Sequence, residues 1–443
     1  MEQPKLKIGI MVETEINFCF RQTYISNLNG KPFLGNQSIH IKEGKILFNG
    51  DAITADELLF EPADTKNGAF ELFDVTIGIQ FHWERKENQL FKGALLFLVE
   101  DSKVLAINIL PLEDYLISVI SSEMSATSSL ELLKAHAITS RSWLIAQVVK
   151  GKELRQTREK YQTIFENEEE YIRWWDREDH ALFDVCADDH CQRYQGITRQ
   201  TSPLVEKAVT ETSGLVLMSG GLVCDARFSK SCGGVTETFE KVWEPIVHPY
   251  LQTLYDYNEN ASDTALKLTE ESSAQKWIRS SPAAFCNTTD HKVLSQVLND
   301  YDQETVDFYR WKVSFSQAEI AELLQRKTGI NFGAILALNP IERGHSGRII
   351  KLEIVGTLKK MLFGKELQIR KILSNSHLYS SAFVVDYFDV SDGIPAKFVL
   401  TGAGWGHGVG LCQIGAAMMG AKGYSYEEIL KHYFPGATLE RSY

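Results

Sequence analysis

The chain has 443 residues, of which 44% are hydrophobic, 23% charged and 11% aromatic; this balance excludes extensive disorder and leaves room for two or three domains. A formal net charge of −12 argues against a generic nucleic-acid surface and against affinity for anionic membranes, since both are met with clustered Lys and Arg. Near the N-terminus the apolar run Ile8 to Val12 is broken at Glu13 and Glu15, so neither a signal peptide nor a transmembrane span is read.

From Leu6 to about Ala106 the pattern is one of short β-like runs separated by turn residues, among them SIHIKEG, KILFNG, FDVTIGIQFHWE and GALLFLVED. Residues 1–75 read as an N-terminal β-rich region of their own, set before a larger domain over 76–443. Helical signals begin after Pro111, where Glu113 and Asp114 suit a helix N-terminus and Leu112, Leu116, Val119 and Ile120 share one face. A second helix is expected from a capping box at Ser128 and Glu131, ending before Gly151.

Residues 152–179 are rich in Glu, Lys and Arg and read as a charged helical excursion with a solvated face. Strands return at GLVLMSGGLVCDARFS, with Gly220-Gly221 as a hairpin turn. Residues 265–330 look mainly helical, and IIKLEIVG, KELQIRK, FVVDYF and KFVLTG look like strands, which gives an inserted subdomain over about 265–385. Gly423 and a second capping box, Ser425 with Glu428, punctuate a helical C-terminus. The fold class expected is α+β, β-rich, with one helical segment carrying the chemistry.

Glu123 lies seven residues after Leu116 and four after Val119. If the helix persists, the carboxyl faces the packed side, and poor hydration is what keeps a general acid protonated at neutral pH. If the helix ends near Ser121, Glu123 is a solvated loop residue. The segment GAGWGHGVG repeats glycine at every second position. In an extended strand one face would be bare backbone, open to a sugar chain, and the other would carry Trp405 for stacking and His407 for hydrogen bonding. The alternative is a tightly packed glycine loop with Trp405 in the core. The spacing is not a dinucleotide fingerprint, because no βαβ unit surrounds it.

The seven cysteines are Cys19, Cys186, Cys191, Cys224, Cys232, Cys286 and Cys412; odd in number and dispersed, they make a poor disulfide framework. Cys19, Cys224 and Cys286 read as small buried residues, and Cys232 as lining a turn with Gly233 and Gly234. His180, Cys186 and Cys191 have zinc-like spacing, with water, Asp184 or Asp189 in fourth place and His190 as a competing ligand. The alternative is two unrelated thiols and a surface histidine.

The stretch ILPLEDYLISVISSEMSATSSLELLKAHAITSRSWL resembles the signature segment of the SpoIID/LytB family. The resemblance extends to RFSKSCGGVTETFEKVWE, SGRIIKLEIVG, GWGHGVGLCQIGA and GYSYEEILKHYFPG, about residues 80–443 in all. It departs at Cys412, where serine is common, and at His136, where glutamine is frequent. The resemblance implies that Glu123 is the catalytic acid of a lytic transglycosylase. Such an enzyme cuts between N-acetylmuramic acid and N-acetylglucosamine and leaves a 1,6-anhydro end. It also implies substrate contacts at Ser140, Arg141, Ser231, Trp405, His407 and Gln413, and zinc at His180, Cys186 and Cys191. Ser140 and Arg141 would meet the hydroxyls and carboxylates of the glycan. Two other functions stay open. The LytB branch implies a non-catalytic glycan-binding activator of an N-acetylmuramoyl-L-alanine amidase, and the metal residues alone would suit a zinc hydrolase. Peptidoglycan strands, and an amidase in the second case, are the expected partners. The family's substrate implies the cell envelope, although no export signal is read.

Overall fold

A computed structural model describes residues 3–42, 45–53, 57–79, 84–125, 127–157, 163–174, 180–188, 190–199, 202–257, 266–297 and 306–443. Asp189, one of the expected alternatives for a fourth metal ligand, lies outside these residues.

Alternating burial along the first strands, such as eBeBB at the start of Lys5–Glu13, shows why the apolar residues of the N-terminal region form a sheet. The strands are β1 (Lys5–Glu13), β2 (Glu15–Ser26), β3 (Pro32–Lys42), β4 (Lys45–Phe48), β5 (Asp51–Ala52), β6 (Glu57–Pro62), β7 (Ala69–Ile77), β8 (Arg85–Lys92), β9 (Ala94–Glu100) and β10 (Lys103–Pro111). β1 pairs antiparallel with β10, from Lys5 opposite Pro111 to Glu13 opposite Val104. A sheet runs from β1 through β10, β9, β6, β2, β3 and β4 to β5, with β7 on β2 and β8 on β7. Strands on both sides of residue 75 therefore share one sheet, and the separate N-terminal region read from sequence is corrected. A further edge strand, Val185–Cys186, lies parallel to β1 with Gly9 opposite Cys186.

Helix α1 (Leu112–Glu123) follows β10 directly and buries Leu112, Tyr115, Leu116, Val119 and Ile120 against the sheet and α2 (Leu130–Thr157). α2 starts one residue later than expected and runs past Gly151. Ser129, not Ser128, caps it, accepting from the Leu132 amide at 3.3 Å. The main core joins these strands and helices to α3 (Pro203–Glu211) and to the C-terminal helices Gln413–Ala421 and Tyr426–Tyr433. Ser425 and Glu428 form the expected capping box.

A second core, which includes Trp311, Ile320, Leu352, Phe363, Ile369 and Phe398, fills the inserted region. Two sequence expectations fail around it. Ile164–Glu166 and Glu170–Arg173, within the stretch read as a charged helix, are strands of the sheet that also holds Lys360–Gly364, Ile349–Gly356 and Ile335–Arg343. KELQIRK is not a strand. All but its first residue belong to the helix Glu366–Ile372, which buries Glu366, Gln368, Ile369 and Ile372. The fold is α+β and rich in strand, as its composition of elements predicted.

Candidate functional site

Glu123 is the last residue of α1 and is half-buried. The stripe of Leu116 and Val119 does not bury it, because the helix stops there and Met124, 2% exposed, takes the inward position. Its carboxylate makes no hydrogen bond or ion pair among the described residues, and the carbonyl end of a helix does not favour an anion. The turn after it is pinned by Gln296. The Gln296 carbonyl accepts from the Ser125 amide at 3.0 Å and the Ser128 hydroxyl at 2.6 Å, and its Oε1 accepts from the Ser129 amide at 3.0 Å. Sequence reasoning missed Gln296, which is 168 residues from Ser128 in the chain.

Tyr115 sits two turns before Glu123 on α1. It is stacked on Tyr194 with ring centroids 5.1 Å apart. Burial pushes its hydroxyl well above the usual phenol range, and Cys191, Cys186, Tyr194 and Glu123 add to that in turn. One phenol thus lies within electrostatic reach of both Glu123 and the cysteines at the sheet edge.

Those cysteines belong to a cluster that could hold a metal ion: His180, Cys186, His190 and Cys191 offer four ligand atoms, all within 4.8 Å of one another. Cys191 Sγ lies 3.4 Å from His180 Nε2 and 3.6 Å from His190 Nδ1, and Cys186 Sγ lies 3.9 Å from His190 Nδ1. Hydrogen bonds from Cys191, His180 and His190, acting against burial, hold the Cys186 thiol far below its ordinary value. His190 fills the fourth place, and Asp184 does not. The Asp184 carboxylate instead accepts from the Lys7 amide at 3.0 Å.

The expected substrate contacts are mostly occupied within the protein. Arg141 is fully buried and forks onto Glu113, with Nε to Oε1 at 3.1 Å and Nη2 to Oε2 at 2.7 Å, while Nη1 donates to the Leu215 carbonyl at 3.0 Å. Glu113 also accepts from Ser213, the Gly214 amide and the Tyr443 hydroxyl. Burial works to raise its carboxyl, yet Arg141, Tyr443 and Gly214 together hold it below the ordinary value. Arg141 is therefore a structural ion pair and not a substrate cation. Ser140 is corrected in the same way: fully buried, its hydroxyl is 3.2 Å from His136 Nδ1. Gln413, 2% exposed, meets the other ring nitrogen at 3.0 Å. Burial, then Lys230, pushes His136 down to about 3, so the ring is neutral. Gln192 joins this network, donating to the Ser140 carbonyl and accepting from the Tyr115 hydroxyl, both at 3.4 Å.

The glycine segment is not an extended strand. Gly404, Gly406, Gly408 and Gly410 all have positive φ, between 72° and 93°, a region that residues with a Cβ avoid. What approaches the bare backbone is the protein itself. A Cβ on Gly408 would lie 2.4 Å from the Arg348 guanidinium, and one on Gly410 would lie 2.2 Å from the Arg227 carbonyl. Arg348 is fully buried; its Nε and Nη2 donate to the Gly406 carbonyl at 3.2 and 3.1 Å, and its Nη1 to the Cys232 carbonyl at 3.2 Å. Ser231 is buried and bridges Trp405 by backbone hydrogen bonds of 3.0 and 2.8 Å. Trp405 packs on Tyr379 and Phe308 at 4.2 and 4.7 Å. His407 Nδ1 accepts from the Val409 amide at 3.1 Å, and the ring lies 4.8 Å from Trp243. Burial, with Arg227, Arg348 and Arg370 nearby, holds His407 well below its usual value. The ribbon is a packing device around Arg348, while Trp405 and His407 keep partial exposure at its rim.

Comparison with known proteins finds a match for the segment that carries α1 and α2. Residues 100–218 match the model of the family described as Stage II sporulation protein, SpoIID, so the chain carries a SpoIID-family domain. Residues 237–410 match a domain of unknown function, DUF8618. The chain is 23% identical over 335 residues to Stage II sporulation protein D of Bacillus subtilis (strain 168), covering 75% of each chain. It is 26% identical over 338 residues to the amidase enhancer of the same organism, covering 72% of this chain and 39% of that protein. It is also 24% identical over 349 residues to an uncharacterized protein of Brachyspira hyodysenteriae, covering 79% and 72%.

Proposed function

We propose that this protein acts on peptidoglycan glycan strands in the cell envelope as a lytic transglycosylase, with Glu123 as its single catalytic carboxylate. The observation that carries this reading is a half-buried carboxylate, unpaired among the described residues, at the end of a helix that buries seven of its twelve residues, in the segment matched by the SpoIID family. Glu123 protonates the glycosidic oxygen as the bond from muramic acid C1 breaks. The same group, now ionised, takes the proton of the muramyl C6 hydroxyl as that oxygen bonds to C1. One carboxylate serves because the nucleophile belongs to the substrate, whereas hydrolytic glycosidases use two. The Gln296-pinned turn that follows α1 positions the acid. The partly exposed Trp405 offers a face for stacking a sugar ring.

The His180, Cys186, His190 and Cys191 cluster is proposed to bind zinc. Bonds of about 2.0–2.3 Å in a tetrahedron give ligand separations of roughly 3.3–3.8 Å; the observed 3.4 and 3.6 Å fall within this range and 3.9 Å lies just beyond it. Four protein ligands leave no open position, so the zinc would be structural, fixing Val185–Cys186 to β1, and a zinc hydrolase is disfavoured.

A second reading is a glycan-binding activator of an amidase. It is favoured by the likeness to the amidase enhancer and by the internal pairing of Ser140, Arg141 and Gln413. Incubation with strands stripped of stem peptides separates the two. The first reading expects new anhydro-muramyl ends. Strand binding without new ends, together with faster turnover by an added amidase, would establish the second.

A further inference from the structure

Three of the seven cysteines converge at one buried point, in a group separate from the cluster at the sheet edge. Cys232 follows the short strand Phe228–Ser229, which lies parallel to Leu411–Cys412, and Cys412 is also the N-cap of the helix Gln413–Ala421. Cys286 arrives from the loop after the helix Glu271–Arg279. Asp256 joins them, held by its amide to the Gly234 carbonyl at 2.9 Å and by its carbonyl to the Phe285 amide at 2.7 Å. All four residues are buried, with one ligand atom from each lying within 4.8 Å of the others.

We propose that Cys232, Cys286, Cys412 and Asp256 form a second, closed metal site that takes a thiophilic divalent cation of the zinc type. Cys232 Sγ lies 3.6 Å from Cys286 Sγ and 3.2 Å from Asp256 Oδ2, close to the roughly 3.3–3.8 Å edges of a tetrahedral thiolate site. The surroundings are those of bound thiolates and not of inert thiols. The Cys232 amide donates to Cys412 Sγ at 3.2 Å and the Gly234 amide to Cys232 Sγ at 3.4 Å. The start of a helix at Cys412 favours negative charge. Asp256 is aimed by an outer layer: Tyr433 donates to its Oδ1 at 2.7 Å and His432 Nε2 lies 3.3 Å from the same oxygen, leaving Oδ2 toward the sulfurs. Gly415 makes room for this carboxylate, since a Cβ there would lie 2.7 Å from Oδ2.

Charge supports the assignment. Three thiolates and a carboxylate exceed one divalent cation, and two guanidinium groups stand by to balance them. Arg348 donates to the Cys232 carbonyl at 3.2 Å and Arg310 to the Gly233 carbonyl at 3.0 Å. No open coordination position remains and the site is sealed, so its role is to join the cysteine loops to the C-terminal helices.

The test is the zinc content of protein purified with reductant and without chelator. Wild type is expected to hold two equivalents and Cys186→Ser/Cys191→Ser one. Wild type at one with this double variant at zero overturns the proposal, as does a Cys232–Cys286 disulfide at a metal-free site. One equivalent in both proteins sustains the second site and rejects the first. If the double variant does not fold, cobalt-loaded wild type decides: thiolate-to-cobalt charge transfer from five cysteines sustains the proposal, and from only two rejects it.

Discussion

The Nε2 atom of Gln413 lies 3.0 Å from Nε2 of His136, and the other nitrogen of that ring is 3.2 Å from the Ser140 hydroxyl. With a neutral ring, the amide of Gln413 donates to Nε2 and the proton on Nδ1 donates to Ser140, an assignment that the network itself makes. This contact ties the helix after the glycine ribbon to α2. Gln413→Leu leaves His136 buried without a donor and is expected to cost about 1–3 kcal/mol, measured by denaturant unfolding.

His136 also gives a pH dependence with a definite sign. Its folded value of about 3 lies below the ordinary 6.5, so the unfolded chain binds the extra proton between them. Stability is therefore fully present above about pH 6.5 and declines as pH falls toward 3. His136→Gln is expected to flatten the slope of unfolding free energy over this range by one proton, relative to wild type. An unchanged slope would contradict the buried, neutral ring.

The bidentate pair of Arg141 and Glu113 predicts a larger loss. Arg141→Leu strands the Glu113 carboxylate beside the C-terminal Tyr443 and is expected to cost about 3–5 kcal/mol. Arg141→Lys is expected to recover little of this, since a lysine cannot reproduce the fork. Because the Glu113 carboxyl is held low in the folded protein, the contribution of the pair is present above the usual carboxylate range and lost as pH falls below it. Unfolding curves of the variants from acid to neutral pH check both statements.

Gly408 and Arg348 form a steric pair that a double-mutant cycle can read. Gly408→Ala places a methyl on the guanidinium at a φ of 77° and is expected to destabilise by about 1–3 kcal/mol from backbone strain alone. Combined with Arg348→Ala, the steric part of the loss is relieved, so the two changes are expected to be non-additive by at least about 0.5 kcal/mol. Strict additivity would show that the ribbon does not close on Arg348.

Removing the cation proposed at His180, Cys186, His190 and Cys191 is expected to loosen the sheet locally before it unfolds the chain. Val185–Cys186 pairs with Ile8 and Gly9 of β1, so Cys191→Ser, which leaves the second proposed site intact, should speed amide hydrogen exchange in this pair of strands. Exchange in the distant helix Tyr426–Tyr433 is expected to stay unchanged.

What could be read from the chain was local. The Ser425 and Glu428 box was legible because cap and partner are three residues apart, and the helix after Pro111 because its apolar face repeats within one element. The glycine ribbon misled because alternation of period two is the signature of a strand, whereas glycine alone can also sustain alternating positive φ. KELQIRK was misread because seven residues hold too few turns to distinguish a half-buried helix from a strand. Glu366–Ile372 takes its helical form from packing on the second core. Gln296, Arg348 and the meeting of Cys232, Cys286 and Cys412 leave no local signal, since they are joined only by the tertiary fold. Arg141 carried the opposite error: an arginine near an acidic motif resembles a ligand contact until its partner, Glu113, is seen one helix away.

The most direct test of the account is to compare wild type with Glu123→Gln on stem-peptide-free glycan strands, scoring bound strand and new 1,6-anhydro ends by mass spectrometry. Equal strand binding with a fall in new ends of about 10²–10⁴-fold, the usual contribution of one acid–base group, is the predicted result. Undiminished formation of those ends by the glutamine variant would contradict it.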